Sequence, residues 1–205
     1  MDKTWLIVKS GCSRLNTAMV KKQEDILDAA IRVFVRYGVQ RSTMGDVAKE
    51  AGVARQTLYN AFANKNEVLK GPIKLFSERS LARINAELSE GQDLGTQLAV
   101  IFEHSVVAPF LNLLESPNAA DFIEGFNHAA TEEIERQEER NRQVIERVLR
   151  SHRRNARPNG ITTKQLSDFI QRSSSAAKHS AEDLKHLKVL LNTLVQMTVR
   201  TVETD

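Results

Sequence analysis

Residues 43–65 read TMGDVAKEAGVARQTLYNAFANK, two short helical patterns hinged on a glycine. Thr43-Met44-Gly45-Asp46 fits a capping box, in which a hydroxyl and an acidic side chain three residues later satisfy each other's backbone N–H groups. Met44, Val47, Ala48 and Ala51 follow at i, i+3, i+4 and i+7 and form one apolar stripe. Gly52 stands where the helix must stop, in a left-handed conformation that costs glycine nothing. A second helix is expected from about Ala54 to Phe62. At about 100° per residue, Leu58 and Phe62 turn to one side, flanked by Ala61. Gln56 and Asn60 share the opposite side, with Arg55, Thr57 and Tyr59 beside them. Upstream, Ile26, Ala30, Val33, Phe34 and Tyr37 recur with helical spacing, and Gly38 ends the run. Three small helices can therefore enclose Phe34, Val47, Leu58 and Phe62.

A capped helix, a glycine turn and a second helix with a polar outer face form a helix-turn-helix. The outer face carries the chemistry that base pairs recognise. Amides bond adenine edges bidentately, arginine reads guanine, and hydroxyls reach phosphates. A polar face on a short helix is by itself most often only solvated; the capped helix and the turn before it change that weighting.

On these residues the chain resembles the TetR/AcrR family of transcriptional regulators. The matching segments are 26–38 (ILDAAIRVFVRYG), 43–48, Ala51-Gly52-Val53, Thr57-Leu58-Tyr59, Phe62, and Lys65 with Glu67 and Leu69. The match covers about residues 22–70. The resemblance implies an all-α protein of about nine helices: a three-helix DNA-binding head and a helical body that binds a ligand and dimerises. It implies that Thr43 meets a phosphate, that Tyr59 and Lys65 bond the DNA backbone, and that Arg55, Thr57 and Asn60 read bases or phosphates; Arg41 and Gln56 complete the expected DNA-contacting set. Two positions depart from the family habit. Ala54 replaces a frequent serine and removes a helix cap, and Gln56 stands where a small residue is usual.

The expected organisation is an N-terminal extension at 1–20, a head at 21–67 and an effector-binding, dimerising region at 68–205. The extension is expected to be a flexible arm, or to lie upstream of a translation start at Met19. Residues 1–70 hold 12 basic and 7 acidic side chains, a net +5, and residues 71–205 hold 17 and 19, a net −2. A basic head on a slightly acidic body suits phosphate binding at one end. The single Cys12 excludes an intrachain disulfide and fits a reducing cytoplasm. No apolar run approaches the roughly 20 residues of a membrane span.

In the body, Gly71-Pro72 is expected to kink the fourth helix, Leu94–Val107 to form another, and Pro109 to open a short one. Ser116-Pro117-Asn118 breaks the chain. A long helix from Ala119 to about Asn155 carries the pairs Glu132/Arg136, Glu138/Arg142 and Glu146/Arg150. Thr162 or Thr163 caps the next helix, with Leu166, Phe169, Ile170, Ser173 and Ala177 on one side. Ser180 is expected to cap the last, where Leu184, Leu187, Leu191, Leu194 and Thr198 alternate by three and four.

The resemblance places an effector pocket in the body, with Phe76, Phe102, His104, Phe110, Phe122 and Phe126 as candidate lining and an apolar small molecule as the ligand. Each of these aromatics, taken alone, is more often core than pocket lining. The resemblance also makes the last two helices a homodimer interface, with Phe169, Ser173, Ala177, Leu187, Leu191, Leu194 and Thr198 as its candidates, which would set two recognition helices about 34 Å apart on a pseudopalindromic operator. Asp121, Glu124 and His128 stand at i, i+3 and i+7 on one helix face, with His104 one helix earlier, and carry metal-ligand chemistry. Their spacing does not match a di-iron bundle, and no metal or cofactor is expected. No nucleophile–base arrangement or phosphate loop is evident. The sequence points to a cytoplasmic DNA-binding repressor released by an effector; a helical enzyme and a protein–protein adaptor are the alternatives.

Overall fold

The computed structural model describes the backbone at 4–114, 119–152 and 160–203, and the side chains at 21–111, 131–152 and 160–203. The described residues are helical, in nine segments: α1 (Thr4–Tyr37), α2 (Met44–Glu50), α3 (Arg55–Ala61), α4 (Lys65–Glu87), α5 (Leu94–Phe102), α6 (Ala108–Leu114), α7 (Ala119–His152), α8 (Thr163–Ser180) and α9 (Leu184–Glu203). The chain divides into two compact units. One comprises 1–75 with 117–131, the other 76–116 with 132–205.

The first unit holds the three-helix head. Helix α1 runs unbroken from Thr4, so residues expected to form a loose arm continue the first helix of the head; no proline interrupts 4–37. Ile26, Ala30, Val33 and Phe34 of α1, Val47 and Ala48 of α2, and Leu58 of α3 form one buried cluster with Val68 and Leu69 of α4. Phe62 packs against it, half-buried. Gly38 ends α1 at φ 81 and Gly52 ends α2 at φ 64, both left-handed. Side chains other than glycine seldom adopt that conformation. The Arg32 guanidinium donates to Glu50 at 2.8 Å and ties α1 to α2. Helix α4 runs on through Pro72. Beside it, Gly71 lets α4 approach α1 so closely that a Cβ there would collide with Leu27.

The second unit has its own core, in which Ile84, Leu94, Leu98, Ile101, Phe102, Val107 and Phe110 pack with Ile145, Leu149, Ile170 and Leu187. Helices α5 and α6 are joined into one rod by a π-helical turn at Glu103–Val107, and Pro109 stands in the first turn of the short helix α6, as expected. The Ala108 N–H donates to the Glu103 carbonyl, five residues back. A wide turn there accommodates the proline ring, which cannot supply an N–H and would crowd the carbonyl four residues before it. This rod, over Leu94–Leu111, is long and apolar enough by composition to span a membrane. Half of it is buried among the other helices of its unit, and the core packing accounts for its apolar character.

Of the two threonines expected to cap α8, Thr162 does so, in a capping box with Gln165. Two further expectations are corrected. Asp183 rather than Ser180 caps α9, its carboxylate accepting the His186 N–H at 2.7 Å, because Ser180 is still the last turn of α8. On α7, Arg142 bonds Glu139 and Glu146 rather than Glu138, whose carboxylate instead accepts from Ser175 at 3.2 Å.

The α9 stripe faces inward. Leu187, Leu191, Leu194 and Thr198 are all buried within the second unit, so the seam expected to meet a partner packs the core of its own protomer. The Thr198 hydroxyl turns back to the Leu194 carbonyl at 2.8 Å. Ser173 and Ala177 are half-buried. Phe169 is 57% exposed, with Val189 at 56% and Met197 at 60% the large apolar side chains left outside on α9.

Candidate nucleic-acid interface

Helix α2 is only seven residues long, too short to be stable alone. Its capping box supplies local support. Thr43 Oγ1 accepts the Asp46 N–H at 3.2 Å, and the Asp46 carboxylate accepts the Thr43 N–H at 2.9 Å and its hydroxyl at 2.6 Å. These bonds from Thr43 hold the Asp46 carboxyl below its ordinary value of 3.8, with smaller help from the charges of Lys49 and Arg55. The folded-state value lies under the unfolded one, so the cap stabilises fully above 3.8 and weakens as pH falls below it. Acid titration is expected to loosen the α2 amides first, with Asp46→Asn abolishing that step; hydrogen exchange reads it.

Helix α3 is also seven residues. Leu58 is fully buried in the head and fixes the rotation of the helix. Arg55, Gln56, Tyr59 and Asn60 are consequently exposed, and Thr57 is half-buried; Tyr59 keeps 50% of its surface. Gln56 Nε2 donates to Asn60 Oδ1 at 2.9 Å, so the two amides form one planar-ended ridge along the outer face. Ala54, extended at φ −64 and ψ 145, makes no side-chain cap. Ala54→Ser is therefore expected to stabilise the protein by about 1 kcal/mol, as capping hydroxyls typically do, and thermal melting measures it.

Arg41 and Thr43 are exposed on the approach to α2. Lys65 opens α4, and its ammonium donates to the Ser42 carbonyl at 2.6 Å. Ser42 in turn is buried, its hydroxyl bonded to the Gly38 carbonyl at 2.6 Å. Lys65 thus braces the loop that leads into Thr43, a structural role that sequence reasoning missed because the partners lie 23 residues apart. Gly45 was missed too. A Cβ at this position would stand 2.7 Å from Arg55 Nη2, and the only signal was a glycine inside a seven-residue helix.

The ligand-pocket candidates whose side chains are described are Phe76, Phe102, His104 and Phe110. Phe102 and Phe110 are core members of the second unit, and Phe76 is half-buried. The His104 ring meets Glu87 at 2.9 Å, and its carbonyl accepts from Ser80. The side chains of Phe122, Phe126, Asp121, Glu124, His128 and Cys12 lie outside the described residues.

The sequence pattern that defines the tetR family of bacterial regulatory proteins matches residues 26–71. HTH-type transcriptional regulator TtgW of Pseudomonas putida is 32% identical over 102 residues, 50% of this chain and 69% of that protein. The fatty acid metabolism regulator protein of Bacillus subtilis is 34% identical over 83 residues, 39% of this chain and 41% of that protein. The chain thus spans from under half to about two thirds of the length of these relatives. Among solved structures, SmeT, the repressor of the Stenotrophomonas maltophilia multidrug efflux pump SmeDEF, superposes with a TM-score of 0.63 at 23% identity, over 86% of this chain and 89% of SmeT. SmeT is also known in complex with triclosan, and that structure superposes with a TM-score of 0.62 at 21% identity, over 87% of this chain and 91% of SmeT. These likenesses bear on the fold.

Proposed function

We propose, for a chain that belongs to the TetR family of bacterial regulatory proteins, that the head binds a specific operator and that a small molecule in the body releases it. The observation that carries the reading is the α2–Gly52–α3 pair, which buries Leu58 and turns Arg55, Gln56, Tyr59 and Asn60 outward. In such motifs the second helix enters the major groove while the first crosses the backbone. Gln56 and Asn60 are assigned to base edges. Thr43, Tyr59, Lys65 and Arg41 are assigned to phosphates, and Thr57 to the groove wall.

Two heads are needed for a pseudopalindromic site, and the outward faces of α8 and α9 are the proposed dimer surface. Phe169, Val189 and Met197 replace the buried leucine seam as its apolar anchors. The triclosan complex of SmeT supports a small-molecule effector; the second unit is its proposed seat, because the apolar character of that core suits an apolar ligand. Release requires the effector to bind more tightly to the protein conformation that does not fit DNA. A cytoplasmic setting follows from this reading.

Selection of duplexes from a random library by the purified protein tests it. The expected product is one two-fold-related motif with half-sites about one helical turn apart. Recovery of unrelated sequences would overturn the assignment.

A further inference from the structure

We infer that Gly45 decides what Arg55 does at DNA, keeping the arginine on the phosphate backbone and leaving base reading to Gln56 and Asn60. The inference rests on the reading of the head as a DNA interface. Gly45 is the second residue of α2, and Arg55 is the first of α3. A Cβ on Gly45 would stand 2.7 Å from Arg55 Nη2 and 3.2 Å from both its Cζ and Nε. The guanidinium therefore lies over Gly45 on α2, in space that a side chain at 45 would fill. The neighbouring Asp46 carboxylate is occupied by Thr43, so it favours the arginine through its charge rather than by capturing it.

The consequence is directional. Arg55 begins the recognition helix, from which an arginine would ordinarily extend toward base edges. Here it folds back onto the preceding helix, the one that crosses the DNA backbone in this motif. Its charge then acts on phosphates, which position the protein without reading sequence. An alanine at 45 removes the seat. The obstructing atoms are the tip of a flexible side chain, so the fold tolerates the change, and alanine favours the helix over glycine.

The test uses full-length wild type, Gly45→Ala, Arg55→Ala and the double variant. The probes are the duplex that wild type selects from a random library, all its single-base variants and a scrambled duplex, each titrated from 50 to 300 mM salt. Arg55→Ala is expected to weaken all duplexes by a similar factor and to lower the salt slope by about 1. Gly45→Ala is expected to keep or raise Tm and to change base preference at one position of each half-site, toward guanine. That change should vanish in the double variant. The inference is overturned if Arg55→Ala alone alters base preference, or if Gly45→Ala acts equally with and without Arg55. If wild type selects no duplex at all, the DNA reading itself falls, and this inference with it.

Discussion

Phe34→Ala will unfold the head or leave it barely folded. Phe34 is wholly buried among Ile26, Val33, Val47 and Leu58, and removing a buried phenylalanine side chain costs about 3–5 kcal/mol. A small domain is stable by only about 5–15 kcal/mol, and a three-helix unit of this size belongs at the low end. The change lies at the point where α1, α2 and α3 meet, so none of them can relax to fill the space without losing its own contacts. Hydrogen exchange at the amides of 26–69 should lose most of its protection, and duplex binding should go with it. Tyr37→Ala, on the same helix but half exposed, is the control and should stay within about 0.5 kcal/mol. A Phe34→Ala protein within 1 kcal/mol of wild type would mean that the three helices do not share this core.

Gln56→Ala and Asn60→Ala should each erase discrimination at the bases they face. In the DNA-free protein the two amides satisfy each other at 2.9 Å. Binding exchanges that bond for bonds to base edges, so little is lost on release of the pair and much is gained at the correct sequence. A bidentate amide–adenine contact discriminates by about 1–3 kcal/mol, or about 5- to 150-fold. Each variant should therefore bring the selected duplex and its cognate single-base variants to similar affinity, while affinity for scrambled DNA barely changes. A uniform loss across all duplexes would reassign the amides to the backbone.

The head was legible because its signals are local. The capping box at Thr43, the left-handed Gly52 and the i, i+4 pairing of Gln56 with Asn60 each depend on residues within four positions. The missing cap at Ala54 was visible for the same reason. The body was less legible where a pattern had more than one physical cause. A stripe such as Leu187, Leu191, Leu194 and Thr198 has the same period whether its own protomer or a second copy buries it. Proline at 109 signals a helix start, and α6 does begin at Ala108, but nothing local announces the π turn that joins it to α5. Ser180 and Asp183 are both good caps, and only the length of α8 decides between them. Contacts such as Lys65 to Ser42, His104 to Glu87 and Arg55 to Gly45 join residues 10 to 23 positions apart and leave no periodic trace.

The central claim is that a polar helix face in this head reads DNA sequence. Its most direct test is the dissociation constant of the full chain for its selected duplex and for a scrambled one, measured between 50 and 300 mM salt. Specific recognition predicts that both affinities fall as salt rises, with the selected duplex still bound at least about 1,000-fold more tightly at 150 mM. Equal affinity for the two duplexes at that salt would contradict it.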